Sequence, residues 1–90
     1  MRIEFDPVKR QRTLDNRGLD MARGDEIFRG ATVTIADDRK DYGEPRFITI
    51  GRLDRRLVVA VWTPRGAARR LISLRKANGR EQALYGGRLD

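Results

Sequence analysis

Cysteine and histidine are both missing from this 90-residue sequence. Without cysteine, neither a disulfide framework nor a thiolate zinc site can reinforce the fold, and a cytoplasmic location is favoured over a secreted one. Without histidine there is no imidazole to ligate a metal or to serve as a general base near neutral pH. The sequence also has no glycine-rich phosphate loop and no nucleophile elbow. We therefore expect no metal site and no cofactor.

Long apolar segments are absent as well. The longest unbroken apolar run covers six residues, Leu57 to Trp62, far short of the roughly 20 needed to span a bilayer. Charges at positions 2, 4, 6 and 9 leave no room for the apolar stretch of a signal peptide. The sequence predicts a protein that is neither exported nor membrane-bound, and residues 1–90 fit one domain with a modest core.

Positive charge is abundant, and most of it is arginine. The net charge is +7, and 17 of the 20 basic residues are arginine. Residues 61–90 hold seven basic and two acidic groups, so most of the excess lies in the last third. Guanidinium groups bind phosphate in a bidentate manner, which favours an anionic partner: RNA, DNA or an acidic protein. The alternative is that these arginines are simply solvated surface.

Helices are predicted in the first third of the chain. Asp6 followed by Pro7 is typical of a helix start, and that helix should run to about Asn16 before the turn at Gly18. Asp20 can cap a second helix that extends to Phe28 and ends at Gly30. Gly24 should weaken this second helix by roughly 1 kcal/mol relative to alanine.

The pattern then changes from helical to alternating. Four short runs rich in β-branched or aromatic residues predict strands at 31–36, 46–51, 56–63 and 69–76. The segment 63–66 is predicted to form a tight turn, and short connections favour antiparallel pairing. A short C-terminal helix should follow at 77–85, with Asn78 as N-cap. The predicted fold is α+β, with two N-terminal helices packed on one face of a four-stranded antiparallel sheet.

The last predicted strand carries the main candidates for chemistry. Simple alternation places Arg69, Leu71, Ser73 and Arg75 on one face, and Arg70, Ile72, Leu74 and Lys76 on the other. Together with Arg65 in the preceding loop, such arginines can contact phosphates and stabilise the transition state of RNA cleavage by the 2′-hydroxyl. Arg69 and Arg70 are equally consistent with solvated strand ends.

Other polar and aromatic residues leave alternatives open. Tyr85 can stack on a base or act as an acid–base phenol, but it fits core packing equally well. Glu44 and Arg46 either pair with each other, which is favoured, or Arg46 joins the basic cleft. Trp62 is predicted to lie in the core. The aspartates at 37, 38 and 41 lack calcium-loop spacing and are interpreted as solvated turn residues.

An ordered set of short motifs spans nearly the whole chain. They are Phe5-Asp6-Pro7-x-Lys9, the Gly18 turn, Gly43-Glu44-x-Arg46, Ile50-Gly51, Arg65-Gly66, Arg70-x-Ile72-Ser73-x-Arg75-x-Ala77, and Glu81 with Tyr85. In order, spacing and total length this set resembles the BrnT family. The chain departs from the family pattern at Asn16-Arg17-Gly18, where many members have Lys-His-Gly.

The resemblance implies a toxin of a type II toxin–antitoxin system with a RelE-like fold, ribonuclease activity on mRNA, and a BrnA-like antitoxin that binds it in a hetero-oligomer. Carried over, the candidate catalytic residues are Arg65, Arg70, Arg75 and Tyr85. The candidate RNA-binding residues are Arg46, Arg69 and Lys76. No metal is implied. The competing hypothesis is a non-catalytic basic module that binds nucleic acid or an acidic protein.

Overall fold

The computed structural model describes residues 2–89 and shows three α-helices. Helix α1 spans Pro7–Arg17, α2 spans Gly24–Arg29 and α3 spans Gly79–Tyr85. Two 3₁₀ turns, Met21–Arg23 and Gly86–Arg88, precede α2 and follow α3. None of these helices is long and apolar enough to cross a membrane.

Five strands form one mixed sheet. They are β1 (Arg2–Glu4), β2 (Val33–Ala36), β3 (Phe47–Leu53), β4 (Arg56–Arg65) and β5 (Ala68–Lys76). The order across the sheet is β1-β5-β4-β3-β2, in which β2 to β5 form the predicted antiparallel meander. Strand β1 pairs in parallel with β5. The α+β class is therefore confirmed, but the sheet has one strand more than predicted.

The prediction of four antiparallel strands missed β1 for a physical reason. This strand is only three residues long and has charged side chains at both ends, so it carries no alternating apolar pattern. It forms because β5 offers an unpaired edge at Ala68, Arg69 and Arg70. Its tertiary partner, rather than its own sequence, makes it a strand.

Helix α1 begins and ends where the sequence predicts. The Asp6 side chain accepts a hydrogen bond from the Val8 N–H, and Gly18 closes the helix in the left-handed conformation at φ 68°. The second helix is a correction. Asp20 caps a 3₁₀ turn, and the α-helix that follows has only six residues. The predicted packing of two full N-terminal helices is therefore wrong in its second member.

Close packing against the sheet explains why glycine, a poor helix former, occupies position 24. A Cβ atom added there would lie 2.8 Å from Cδ1 of the buried Leu71 and 3.5 Å from Cγ2 of Ile3. The backbone of α2 therefore approaches the sheet more closely than any side chain would permit. The loss in helix propensity is the cost of that contact.

The main core lies between the sheet and the N-terminal helices. Its buried members include Met21, Ile27, Leu71 and Leu74, and Phe28 packs edge-on against Trp62 with ring centroids 5.7 Å apart. The indole N–H of Trp62 donates to the Thr49 hydroxyl at 2.8 Å, so its buried donor is satisfied. The prediction that Trp62 belongs to the core is confirmed.

A smaller core lies on the opposite face, beneath α3. Ile50, Leu57, Val59, Ala77 and Leu89 are buried there, and Tyr85 packs against them. Helix α3 starts as predicted at Asn78, whose side chain and that of Glu81 form a reciprocal capping box. Because α3 covers only one end of this face, the remainder of the face is accessible.

A β-bulge changes which side chains of β5 share a face. Val61 pairs with Ser73 but its neighbour Trp62 pairs with Leu71, so Ile72 is extra. Paired residues lie on the same side of a sheet. Arg69, Leu71, Leu74 and Lys76 therefore face the N-terminal helices, whereas Arg70, Ser73 and Arg75 face the other way. The faces predicted from uninterrupted alternation are wrong beyond Ile72.

Two hairpin turns join β3 to β4 and β4 to β5. Asp54 and Arg55 form the first turn, with φ of 51° and 68° respectively. Such turns usually carry asparagine or aspartate followed by glycine, and a left-handed arginine costs about 1 kcal/mol. The second turn is Gly66 and Ala67, because Pro64 and Arg65 still belong to β4. The predicted turn at 63–66 is thus shifted toward the C-terminus.

Candidate RNA-binding face

Three of the seven predicted site residues, Arg65, Arg70 and Arg75, lie on the part of the sheet that α3 leaves uncovered. We call this surface the open face. It consists of Ile48, Val61, Arg65, Arg70, Ser73 and Arg75, which cross-strand pairing places on one side of β3, β4 and β5. Arg70 and Arg75 are five residues apart on β5, roughly 15 Å along the strand. At this distance the two side chains do not line one closed pocket. We call the row of Arg65, Arg70 and Arg75 the basic strip.

Arg75 is held by Glu81 at the boundary between the open face and α3. Its two terminal nitrogens donate to the two carboxylate oxygens of Glu81 at 2.7 and 2.8 Å. These hydrogen bonds lower the pKa of Glu81 to about 2 and raise the pKa of Arg75. Since a guanidinium has five N–H donors, the pair fixes the orientation of Arg75 while leaving donors for a phosphate.

Arg70 is the cation of the open face with no partner among the described residues. It pairs in register with Thr63 on β4 and Glu4 on β1, and its side chain is half-exposed. No hydrogen bond or ion pair engages its guanidinium within residues 2–89. Because Glu4 binds Arg2 at 2.9 Å instead, Arg70 keeps all its donors for an anionic ligand.

Arg46 and Arg65 lie at the end of the strip that is next to the loop joining β2 to β3. Glu44 pairs with Arg65 at 3.7 Å, so the predicted Glu44–Arg46 pair is wrong. Arg46 instead stacks its guanidinium on the ring of Tyr42, 3.9 Å from the centroid. Its Nε atom is buried without a hydrogen-bond partner in the described chain. The alternative interpretation of Arg46, as a basic residue beside the cleft, fits this placement.

Tyr85 occupies the other end of the accessible surface. It is half-buried near the C-terminus of α3, against the core cluster that contains Ile50 and Val59. Its ring therefore has a packing role, which the sequence analysis left open beside a catalytic one.

Two of the predicted RNA-binding residues lie elsewhere. Arg69 faces the N-terminal helices, with its guanidinium 4.0 Å from the ring centroid of Phe28 and 5.2 Å from that of Trp62. Lys76 pairs in register with Val58 and lines a cavity at the far end of the sheet. Arg69 and Lys76 therefore point away from the open face, because each is adjacent in β5 to an open-face arginine and neighbouring strand residues point to opposite sides of the sheet. Their predicted role in RNA binding stays a prediction.

Arg39 is a member of the site that sequence reasoning missed. It donates to both carboxylate oxygens of Asp37 at 2.7 Å, which lowers the pKa of Asp37 to about 2. It also lies near enough to Arg75 that its charge partly offsets the effect of Glu81 on the pKa of Arg75. Asp37 has a fully buried side chain, so interpreting it as a solvated turn residue is wrong.

Arg17 closes the outer edge of the sheet. Beyond Arg70, β5 has no strand on its outer side, since β1 ends at Glu4. Arg17 donates to the Leu74 carbonyl at 2.8 Å, and Lys9 donates to the Ile72 carbonyl at 3.4 Å. Both contacts come from α1 and satisfy backbone acceptors of the exposed edge.

Within residues 2–89 no group of three or more acidic side chains is arranged to hold a metal ion. The polar groups of the open face are mainly guanidinium donors, together with the hydroxyl of Ser73. Donors of this kind bind phosphate oxygens and stabilise the negative charge that develops during phosphoryl transfer. The surface is thus built to receive an anion.

Comparison with known families decides which anion this is. Residues 5–81 match the family described as the ribonuclease toxin BrnT of type II toxin–antitoxin systems. This chain belongs to the BrnT family. Membership makes RNA the substrate and an antitoxin the partner of this BrnT-family chain. A comparison with curated proteins returns no match.

The matched region of this BrnT-family chain includes every arginine of the open face as well as Glu81. Tyr85 lies beyond it. The family match therefore covers the arginines of the basic strip but does not extend to Tyr85.

Proposed function

We propose that this chain is an endoribonuclease that cleaves mRNA in the bacterial cytoplasm without a metal ion, and that a BrnA-like antitoxin neutralises it in a hetero-oligomer. The observation that supports the proposal best is the register of β4 and β5. It aligns Arg65, Arg70 and Arg75 along one accessible face. Arg46 extends the strip, and Tyr85 borders it.

The proposed reaction uses the RNA 2′-hydroxyl as nucleophile. The 2′-oxygen forms a bond to phosphorus while the bond from phosphorus to the 5′-oxygen breaks, giving a cyclic phosphate and a 5′-hydroxyl. The 2′ proton passes to solvent, and the leaving 5′-oxygen takes a proton from solvent or from the Tyr85 hydroxyl. Arg70 stabilises the charge on the non-bridging oxygens, an effect worth about 10²- to 10³-fold in rate for a well-placed donor. Arg75, farther along β5, holds another phosphate of the same RNA strand.

The role of Glu81 in this scheme is to position Arg75. With a pKa of about 2, its carboxylate is a weak base and stays ionised at neutral pH. Replacing it by glutamine should let Arg75 turn away from the strip. The loss of activity in that variant would therefore come from a misplaced guanidinium rather than from a missing proton acceptor.

The experiment is an RNA-cleavage assay in the presence of a chelator, together with growth of bacteria that express the chain. The wild-type protein should cleave mRNA and arrest growth, and Arg75→Ala should relieve both effects. Co-expression of the neighbouring gene should suppress the arrest and yield a co-purifying complex. Intact RNA and normal growth with the wild-type protein would refute the ribonuclease proposal.

One observation favours a second candidate, nucleic-acid binding without turnover. The chain has no histidine, and the carboxylate nearest the strip has a pKa of about 2. A chain of this kind would bind RNA with strong salt dependence, yet leave it uncut with or without a metal ion. The same cleavage assay separates the two candidates.

A further inference from the structure

A second concentration of positive charge lies at the opposite end of the sheet from the hairpin turn at Gly66. It surrounds a cavity of about 500 Å³ between the β3–β4 turn and α3. Among the described residues that line it are four cations and no carboxylate: Arg52, Arg55, Arg56 and Lys76. We call this the turn cavity. Helix α3 separates it from the open face.

Three of the four cations have no hydrogen-bond or ion-pair partner within the described part of the chain. The side chains of Arg55, Arg56 and Lys76 make no hydrogen bond or ion pair there, and all three residues are exposed. The nearby carboxylates point elsewhere, since Asp54 binds Arg23 at 2.7 Å and Glu81 binds Arg75. Among the described residues, no carboxylate therefore pairs with these three side chains.

The fourth cation forms a fixed wall. Arg52 donates to the Arg55 carbonyl at 3.0 Å and to the Gly86 carbonyl at 2.8 Å. These bonds tie the β3–β4 turn to the end of α3 across the cavity. One wall of the cavity is therefore fixed by hydrogen bonds to the backbone.

The backbone of the turn gives an independent sign of function. Arg55 adopts φ 68°, a left-handed conformation that glycine would adopt without strain. Strain of this kind tends to persist where the side chain has a task. At this position the side chain that replaces glycine is a guanidinium that lines the cavity.

The lining favours phosphate over protein. The apolar residues that border the cavity, Leu57 and Ala77, are buried at 6% and 7% exposure, so they offer no apolar anchor to a partner. Guanidinium and ammonium groups around a polar cavity are instead typical of sites for nucleic-acid backbone. We propose that the turn cavity binds backbone phosphates of an RNA strand that passes α3 on its way from the open face. This inference rests on the RNA-binding part of the proposed function.

The test measures binding of a short 2′-O-methyl oligoribonucleotide, which cannot be cleaved through its 2′-position, at several salt concentrations. The cavity variant is Arg55→Gln, Arg56→Gln, Lys76→Gln. The charge-matched control is Arg12→Gln, Arg80→Gln, Arg88→Gln, which removes three exposed arginines that line neither the cavity nor the open face. Each lost phosphate contact should lower the slope of log affinity against log salt by about 0.7, so the cavity variant should lose about 2.

A single substitution separates binding from folding. Arg55→Gly removes the guanidinium and relieves the left-handed strain, which the greater freedom of glycine in the unfolded chain offsets in part. It should therefore raise the melting temperature by about 3 °C while weakening RNA binding. A more stable protein that binds less tightly cannot owe its defect to unfolding. Full retention of RNA affinity by Arg55→Gly would count against the proposal.

Three further results would overturn it. One is an equal loss of slope in the cavity variant and its charge-matched control. Another is a cavity variant that keeps RNA affinity but fails to bind the antitoxin, which would make the cavity a protein-docking site. The third is a wild-type chain that does not bind the oligoribonucleotide at all. Failure of the ribonuclease proposal is read separately, from cleavage of ordinary RNA.

Discussion

Arg69 and Arg70 follow one another in β5, yet their side chains leave the sheet on opposite faces. Arg70 joins the open face with no partner among residues 2–89, whereas Arg69 stacks on Phe28 and Trp62 above the main core. Equal charge and adjacent position make the two a natural pair for comparison. Arg70 is therefore accessible to a ligand, whereas Arg69 packs within the fold.

The first prediction uses this pair. Arg70→Ala should reduce RNA cleavage by about 10²- to 10³-fold, because a donor to the transition state is lost. Its free energy of unfolding should change by less than about 0.5 kcal/mol, since no internal contact is removed. Arg69→Ala should retain cleavage but lose about 1 to 2 kcal/mol of stability, because its contacts with two aromatic rings disappear.

Single-turnover cleavage and urea unfolding of both variants provide the measurements. A reversal, in which Arg69→Ala loses activity at full stability, would place the RNA on the helix side of the sheet.

At the scale of elements, close approach overrides helix propensity in α2. Propensity alone says that Gly24→Ala should stabilise the helix by about 1 kcal/mol. The added Cβ would instead meet Leu71, which is 2% exposed and has little room to move. Overpacking of this kind costs about 1 to 3 kcal/mol, so the net effect should be a loss of up to about 2 kcal/mol.

Gly79 is the matched control for this second prediction. It is the first residue of α3, and a Cβ there would have no heavy atom within 4 Å. Gly79→Ala should therefore stabilise the protein by about 0.5 kcal/mol, by restricting the unfolded chain. Thermal unfolding of the two variants gives the comparison, and stabilisation by both would show that α2 can move away from the sheet.

At the scale of the whole molecule, three ion pairs make the stability of the fold depend on pH. Asp20 binds Arg10, Asp37 binds Arg39 and Glu81 binds Arg75, and each of these hydrogen-bonded pairs lowers the pKa of its carboxyl group to about 2. A carboxyl group whose pKa is lower in the folded than in the unfolded state contributes stability above the unfolded value. That contribution is lost as the pH falls toward the folded value.

The third prediction follows from the lowered pKa values of these three carboxyl groups. The free energy of unfolding should stay level down to about pH 5 and then fall as the pH drops from about 4.5 to about 2. Changing Asp20→Asn, Asp37→Asn and Glu81→Gln together should lower stability at neutral pH and flatten the decline in acid. Asp38→Asn, at an exposed carboxylate with no arginine partner in the described chain, serves as control. Equal acid slopes in the wild type and the triple variant would contradict the prediction.

Local chemistry in the sequence determined much of this protein. Asp6, Pro7 and Gly18 bound α1, Asn78 starts α3, and alternating apolar residues mark the four antiparallel strands, because these signals act between residues close in the chain. The ordered motifs also identified the family, which the match over residues 5–81 confirms.

Only the tertiary structure decided the rest. The parallel strand β1 exists because β5 offers it an edge, and the extra residue Ile72 reverses the expected faces of the second half of β5. Partners such as Arg65 for Glu44, or Arg39 for Asp37, depend on how the β2–β3 loop folds over the sheet. Which arginines converge is a property of strand register, and register is set by packing across the whole sheet rather than by any one segment.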